Sequence, residues 1–307
     1  MQPTLIVLLG PTAVGKTALS LRLANELHAP IVSADSRQLY RGMEIGTAAP
    51  TAEERACAPH HFVGELAPDQ YCSAAWYEEK ALQRIQQLME QGASRVLLCG
   101  GSMLYIDAVC KGIDLLPTIP DEVREAMRER LHREGLDALR HELQQIDPDY
   151  YARCDLQNAR RIIHALEVYY TARKPYSTFL TGQAAKRPFH IVKIGLQRPR
   201  EELFERIAQR VALMLQQGLV DEARRLSAYR YCNALNTVGY KEVYKYLDGE
   251  WDMAMTQAKI ASNTRVYAKK QMTWFQRDND IHWYHPDDEA SIVDDLHRYL
   301  ARLDNPC

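Results

Sequence analysis

No apolar run in the chain approaches the roughly 20 residues that a membrane-spanning helix needs, so no membrane partner is expected. The seven cysteines include no C-x-x-C pair, which removes the usual signature of a zinc site or a disulfide framework and leaves reduced, buried thiols as the expectation. Charge of one sign is not in excess. With 38 basic and 40 acidic residues the formal charge is −2, which argues against a globally basic nucleic-acid coat while leaving local patches open. Internal repeats and low-complexity tracts are also absent. What remains is an ordinary globular composition of 307 residues, 46% hydrophobic and 25% charged, enough for one large domain or a core with an insertion. The first residues run straight into an apolar segment, leaving no room for a charged leader and cleavage site, so a cytoplasmic protein is expected.

That apolar segment, Thr4 to Leu9, has the length and branching of a buried strand. Directly after it, Gly10, Pro11, Thr12, Ala13, Val14, Gly15, Lys16 and Thr17 complete a phosphate-binding loop, followed by a helix-forming stretch, Ala18 to Leu27. The two glycines let the backbone wrap an anion, while successive N–H groups and the start of the next helix present positive ends to it. Lys16 can reach terminal phosphate oxygens as a point charge, Thr17 carries the hydroxyl such loops offer to Mg²⁺, and Pro11 and Ala13 shape the turn. Taken alone, the loop is a sign of some nucleotide, ATP among them, and does not say which phosphorylated compound it holds or what becomes of the phosphate.

Strand-like and helical runs alternate through the first third: Leu5 to Leu9, a helix from Lys16, Ile31 to Ser33, a helix near Ser73 to Gln91, and Arg95 to Cys99. This is the βαβ grammar of an α/β protein with a parallel sheet flanked by helices. After Asp114-Leu-Leu-Pro-Thr-Ile-Pro120 the texture becomes charged and helical, from Asp121 to Gln145, closed by Asp147-Pro148. Prolines on both sides mark a small helical insertion. The expected organisation is a P-loop core over residues 1–116, an insertion over 117–155, and core completion with a helical part over 156–307. Within the last part His190 to Leu196 reads as a strand, Arg200 to Trp274 as helical with a stripe of Leu203, Ile207, Val211, Met214 and Leu215, and Ile281 to Tyr284 as a return to the sheet edge.

Other residues carry chemistry less plainly. Asp35, at the end of the second strand, falls where open parallel sheets bind ligands, and it can hold metal indirectly, accept a proton, or cap a following helix. Gly100-Gly101-Ser102 after the next strand would let the backbone approach a phosphate and place a hydroxyl beside it. Arg206 and Arg210 lie one turn apart on one helix face, and Arg160 and Arg161 precede an apolar helix; surface solvation is the plain alternative for all four. No apolar run ends in Asp-Glu, the carboxylate pair that serves Mg²⁺ and water in nucleotide-hydrolysing relatives, which weakens an ATPase reading. Between Met253 and Arg277 there is no acidic residue, and Lys259, Arg265, Lys269, Lys270 and Arg277 stand among Tyr267, Trp274 and Phe275. Such a patch can track a phosphodiester backbone and stack on bases, or be an amphipathic helix with core aromatics. His60-His61 lacks ligands at metal spacing and reads as structural.

Taken in order, Gly10-Pro-Thr-Ala-Val-Gly-Lys-Thr17, Asp35-Ser-Arg-Gln38, Tyr40, Gly42-Met-Glu-Ile-Gly-Thr-Ala-Ala-Pro50, Gly100-Gly-Ser-Met-Leu-Tyr105, Ala165-Leu-Glu-Val168, Val238-Gly-Tyr240 and Thr264-Arg-Val-Tyr-Ala-Lys-Lys-Gln-Met-Thr-Trp274 resemble the bacterial tRNA dimethylallyltransferases. The resemblance implies transfer of a dimethylallyl group from dimethylallyl diphosphate to the exocyclic amine of the adenosine 3′ of the anticodon, with Mg²⁺ and a tRNA anticodon stem-loop as partners and a monomeric protein. It implies that Asp35 is the base and that Lys16, Ser102 and Arg210 serve the reaction centre and diphosphate. Ser36, Arg37 and Gln38 would hold the acceptor adenosine, and Arg124, Arg160, Arg161, His164, Gly239, Tyr240 and Lys241 would grip the RNA. Two positions depart from the family: His164 stands where Arg is common, and Ala49 where Lys is usual. A small-metabolite kinase and a noncatalytic RNA-binding nucleotide switch are the alternatives that the loop and the basic patch allow on their own.

Overall fold

The computed structural model describes residues 2–114, 116–182 and 184–304, so Leu115 of the proline-rich linker and the terminal Cys307 lie outside it. Among the described residues six strands form one parallel sheet: β1 (Thr4–Leu9), β2 (Ile31–Ala34), β3 (His60–His61), β4 (Arg95–Gly100), β5 (His190–Leu196) and β6 (Ile281–Tyr284). Their order is β3-β2-β4-β1-β5-β6, every pairing parallel. β1 therefore sits inside, with β4 on one side in register Leu9↔Gly100 and β5 on the other in register Leu9↔Gly195. All six residues of β1 are buried, as a near-continuous apolar run in a doubly covered parallel sheet should be. The strand sequence reverses direction across the sheet at β1, so the crevice beyond its C-terminal end is where such folds bind ligands.

Among the described residues there are thirteen α-helices: α1 (Lys16–Leu27), α2 (Glu44–Thr47), α3 (Ala52–Cys57), α4 (Ala74–Glu90), α5 (Met103–Lys111), α6 (Asp121–Ile146), α7 (Pro148–Tyr151), α8 (Ala159–Ala172), α9 (Arg200–Gln216), α10 (Leu219–Arg225), α11 (Tyr240–Leu247), α12 (Met253–Phe275) and α13 (Glu289–Asp304). Among the described residues none is long and apolar enough to cross a membrane. Ser73 starts α4 by accepting a hydrogen bond from Trp76 N–H at 3.1 Å, an ordinary N-cap. The stripe foreseen on α9 is buried at Leu203, Ile207, Val211 and Met214. The stretch from Arg200 onward is helical, as expected, in four helices among the described residues, with breaks at Gly218, around residues 227–239 and before Met253. β3, which periodicity misses because it has two residues, uses the His60-His61 pair as an edge strand; His61 Nδ1 meets Arg84 Nη1 at 3.2 Å. The thiols are free among the described residues, but only Cys72 and Cys110 are buried and Cys57 is exposed.

The chain divides into two compact units, residues 1–110 with 186–307, and residues 111–185. The second is wider than the expected 117–155 insertion because α8 belongs to it. Its core is Met127, Leu139 and Leu143 of α6 against Ile162, Ala165 and Leu166 of α8. α6 is broken at Gly135 (φ 79°, ψ 172°), so Met127 reaches that core from one half and Leu139 and Leu143 from the other. Tyr170 donates to Glu142, which also pairs with Arg130 at 2.6 Å, and buried Asp147 accepts from Tyr150 N–H at 3.0 Å and Ser177 N–H at 2.7 Å.

In the first unit, buried Glu222 of α10 accepts from Ile45 N–H and Gly46 N–H, each at 2.8 Å, and from the Tyr240 hydroxyl at 2.6 Å. Removing that carboxylate leaves three donors unpaired around a buried space. Glu222→Ala is expected to lower stability by about 3 kcal/mol, measured as a shift in the urea midpoint; a loss below about 1 kcal/mol would show that water substitutes for the carboxylate.

Candidate active site

The loop after β1 is held open for an anion by gripping its carbonyls. Gly10 has φ 152°, and a Cβ there would lie 2.6 Å from Leu196 O at the end of β5, so only glycine lets the chain turn so close to the neighbouring strand. Lys16 Nζ donates to Gly10 O at 3.0 Å and Pro11 O at 2.8 Å. Arg206 Nε donates to Ala13 O at 3.0 Å and Arg198 Nε to Val14 O at 2.9 Å. With its carbonyls drawn to these cations, the loop turns N–H groups the other way, and α1 begins with no side-chain cap on its first turn, leaving orphan donors for an anion. Arg210 Nη1 donates to Thr12 Oγ1 at 3.2 Å and Nη2 to Thr47 O at 3.4 Å. Both Arg206 and Arg210 touch the loop, because α9 follows the strand beside β1; Arg206 does so from an exposed position, whereas Arg210 is withdrawn from water, so solvation alone is the wrong reading for Arg210.

Burial pulls the Lys16 ammonium from 10.5 down to about 8, against the opposing influence of Cys99 and Asp35. Burial likewise lowers Arg210, and Asp35 opposes it. Two desolvated cations facing one carboxylate form an electropositive cavity in which an anion is worth far more than in water.

Across the cavity, Asp35 follows β2. Its Oδ1 accepts from Arg37 N–H at 2.9 Å and Gln38 N–H at 3.3 Å, so it does cap, but it caps the turn 36–39, since no helix follows. Among the described residues Oδ2 has no hydrogen-bond partner. Ser102, 8% exposed, is tied to the same turn: its Oγ accepts from Ser36 N–H at 2.8 Å and its N–H donates to Ala34 O at 3.1 Å. Gln38 accepts from Ser33 Oγ at 3.2 Å and donates to Ala48 O at 3.1 Å, and Arg37 donates to Asn233 O at 2.6 Å. Both side chains therefore brace the turn.

Two residues at this site stand inside the Thr264–Trp274 motif, which assigned neither of them a role at the reaction centre. Gln271 of α12, 1% exposed, accepts from Thr12 N–H at 2.9 Å and donates to Gly101 O at 2.8 Å. The Tyr267 hydroxyl, read from sequence as a base-stacking candidate, is pushed up to about 12 by burial and by Asp35, against Arg37 and a hydrogen bond with Ser102, which places it at the acceptor side of the cavity. The motif marks both residues, but nothing local says what either side chain meets, since each lies one or two helical turns from ordinary core positions. The remaining aromatics of that patch are structural: Phe275 is buried, and Trp274 donates to Asp107 Oδ2 at 2.7 Å under the Arg277 guanidinium. Lys259, Lys269 and Lys270 are exposed.

The other expected positions are distributed differently. Tyr240 is fully buried on Glu222, so its ring is a strut and not a surface group. Gly239 (φ 100°) is buried before α11 and donates to Glu242 Oε2 at 2.7 Å, and Lys241 is exposed. Arg124, Arg160, Arg161 and His164 belong to the second unit; Arg160 and Arg161 are exposed on the first turn of α8, and His164 lies one turn on, edge-on to Tyr176. For a metal, the Thr17 hydroxyl has no protein partner among the described residues, and an oxygen of that kind is what Mg²⁺ prefers as a ligand. Glu202, His285 and Asp287 also lie at metal-ligand spacing, but the Arg198 guanidinium fills that cluster, pairing with Glu202 and with Asp287 at 2.7 Å.

A parallel sheet carrying a phosphate-binding loop at its switch point, with a carboxylate and a hydroxyl facing buried cations, defines a P-loop α/β protein built for a phosphorylated substrate and an acceptor. Residues 38–278 match the family model described as IPP transferase. The chain is 53% identical to tRNA dimethylallyltransferase 1 of Bacteroides thetaiotaomicron over 96% of this chain and 95% of that protein. It is also 53% identical to tRNA dimethylallyltransferase 1 of Phocaeicola vulgatus, covering 97% and 99%. The crystal structure of a tRNA isopentenylpyrophosphate transferase from Bacillus halodurans superposes with a TM-score of 0.71 at 35% identity, covering 98% of this chain and 96% of that one. A eukaryotic dimethylallyltransferase shares the fold with a TM-score of 0.83 at 22% identity, covering 97% and 80%. The chain belongs to the IPP transferase family.

Because the protonated form of Lys16 binds anions, affinity for inorganic pyrophosphate should fall as pH rises through about 8, by about tenfold per pH unit until the bound-state pKa is reached. Calorimetric titration of the unaltered protein and Lys16→Met, taken as a ratio to divide out the ionisation of pyrophosphate itself, tests this. A ratio independent of pH would rule out Lys16 as the titrating cation.

Proposed function

We propose that the protein transfers the dimethylallyl group of dimethylallyl diphosphate to the exocyclic amine of the adenosine 3′-adjacent to the anticodon of tRNA, releasing diphosphate. The observation that carries this reading is the pairing of a phosphate-binding loop with a carboxylate at the end of the neighbouring strand, in a chain more than half identical, over nearly its full length, to proteins named for this reaction. A carbon–oxygen bond breaks here and no water is activated, which accounts for a phosphate-binding loop without an Asp-Glu strand end.

In the transfer, the adenine amine nitrogen attacks the allylic carbon while the oxygen of diphosphate leaves with the bonding pair. Charge grows on the leaving diphosphate, where the loop N–H groups, Lys16 and Arg210 stabilise it. Mg²⁺, held by Thr17 and indirectly by Asp35, would neutralise diphosphate charge when bound. Asp35, with one oxygen anchored to its turn and the other open, accepts the proton that the amine loses. Ser102 and the turn Ser36–Gln38 hold the adenine. The adenosine must leave its stack to enter such a cavity, so the RNA is gripped elsewhere, by Arg124, Arg160, Arg161 and His164 and by Lys241 beside Gly239, through phosphate contacts.

The experiment is incubation with undermodified tRNA, dimethylallyl diphosphate and Mg²⁺ without ATP, read by mass spectrometry of the RNA. Gain of one C₅H₈ unit per tRNA is expected, and no gain would overturn the reading. Asp35→Asn should slow the transfer by about 10²–10⁴-fold and leave stem-loop affinity unchanged; undiminished transfer would falsify the base assignment.

A further inference from the structure

Gln271 stands 259 positions from Thr12 and 170 from Gly101 in the chain, yet its one amide group joins them. Both of its polar atoms are committed, the acceptor to the phosphate-binding loop and the donor to the loop after β4. A Cβ at position 101 would lie 2.4 Å from the Gln271 nitrogen and 3.3 Å from Gly10 O, so a glycine there is what admits the amide. Gly101 adjoins Ser102, which is bonded to Ala34 O and Ser36 N–H. A continuous path therefore runs Thr12, Gln271, Gly101, Ser102, Ser36, from the anion side of the cavity to the turn that carries Asp35.

We propose that Gln271 is a positioning residue that sets the register of the diphosphate-binding loop against the acceptor-side turn, a role that rests on the transfer reading above. Group transfer depends on holding nucleophile and leaving group in line, and a displacement of about 1 Å costs on the order of 100-fold. The amide suits the position because it supplies a donor and an acceptor from one planar group. A neutral carboxylic acid reproduces that pattern, a carboxylate does not, and methionine offers neither function.

The test is the single-turnover transfer rate of the unaltered protein, Gln271→Glu and Gln271→Met from about pH 5.5 to 8.5, with folding checked by circular dichroism and stem-loop affinity measured in parallel. Lys16, Asp35, Tyr267, Arg198, Arg206 and Arg210 are common to all three proteins, so ratios to the unaltered protein divide out their titration. Gln271→Met should be slower by about 10–100-fold at every pH with RNA affinity unchanged. Gln271→Glu should be similarly slow at the alkaline end and recover toward the unaltered rate as its carboxyl takes up a proton and again donates to Gly101 O. A Gln271→Glu ratio that is flat with pH overturns the proposal, as does a Gln271→Met rate equal to that of the unaltered protein, and the glutamate ratio decides alone if the methionine variant does not fold. Absence of transfer by the unaltered protein overturns the functional reading and this proposal with it, whereas transfer with a flat ratio overturns this proposal only.

Discussion

A backbone loop can present its N–H groups to an anion only if its carbonyls are satisfied on the other side, and the organisation of the first unit follows from that requirement. Gly10 and Pro11 give their carbonyls to Lys16, Ala13 to Arg206, and Val14 to Arg198. Two of these three cations come from the far half of the chain. β5 lies directly beside β1, so the residues just after it reach the loop: Arg198 follows the strand by two positions and α9 brings Arg206 and Arg210 one turn apart. A fourth support, Gln271, arrives on α12 and consumes Thr12 N–H. Sheet adjacency is thus what makes the loop competent, and the long helical second half serves the chemistry of the first 17 residues.

The same arrangement explains the electrostatics of the cavity. Cations buried without an anion are costly, and the depressed Lys16 and Arg210 values are the sign of that cost. A bound diphosphate relieves it, and further charge on the leaving group relieves it more, which is the direction catalysis requires. The acceptor side has the opposite character. Asp35 is anchored at one oxygen only, and Ser102 fixes the turn that carries it, so the carboxylate is oriented with its second oxygen left open.

Much of the architecture was legible because its signals are local. The limits of β5 and β6 agree with the apolar runs, Ser73 marks the start of α4, and the phosphate-binding loop falls between strand and helix where the motif places it. The misses share a cause. β3 has two residues, too few for periodicity to register. α8 reads as an amphipathic helix from sequence, but only its packing against Leu139 and Leu143 assigns it to the second unit. Tyr240 lies in a family motif yet is a buried strut, because Glu222, 18 residues earlier, happens to meet its hydroxyl.

By itself the sequence determined the strand–loop–helix that binds phosphate, the parallel α/β class, the position of Asp35 at a strand end and, through ordered motifs, the family; each depends on residues near one another in the chain. Only the tertiary structure decided which cations hold the loop, that Arg206 and Arg210 both bond to it, that Tyr267 lies beside Ser102, and that Gln271 ties the two sides of the cavity together. Those facts concern partners up to 259 positions apart. Which of a helix's polar side chains meets such a partner is set by sheet order and helix rotation, and a single sequence encodes these only through the packing of the whole core.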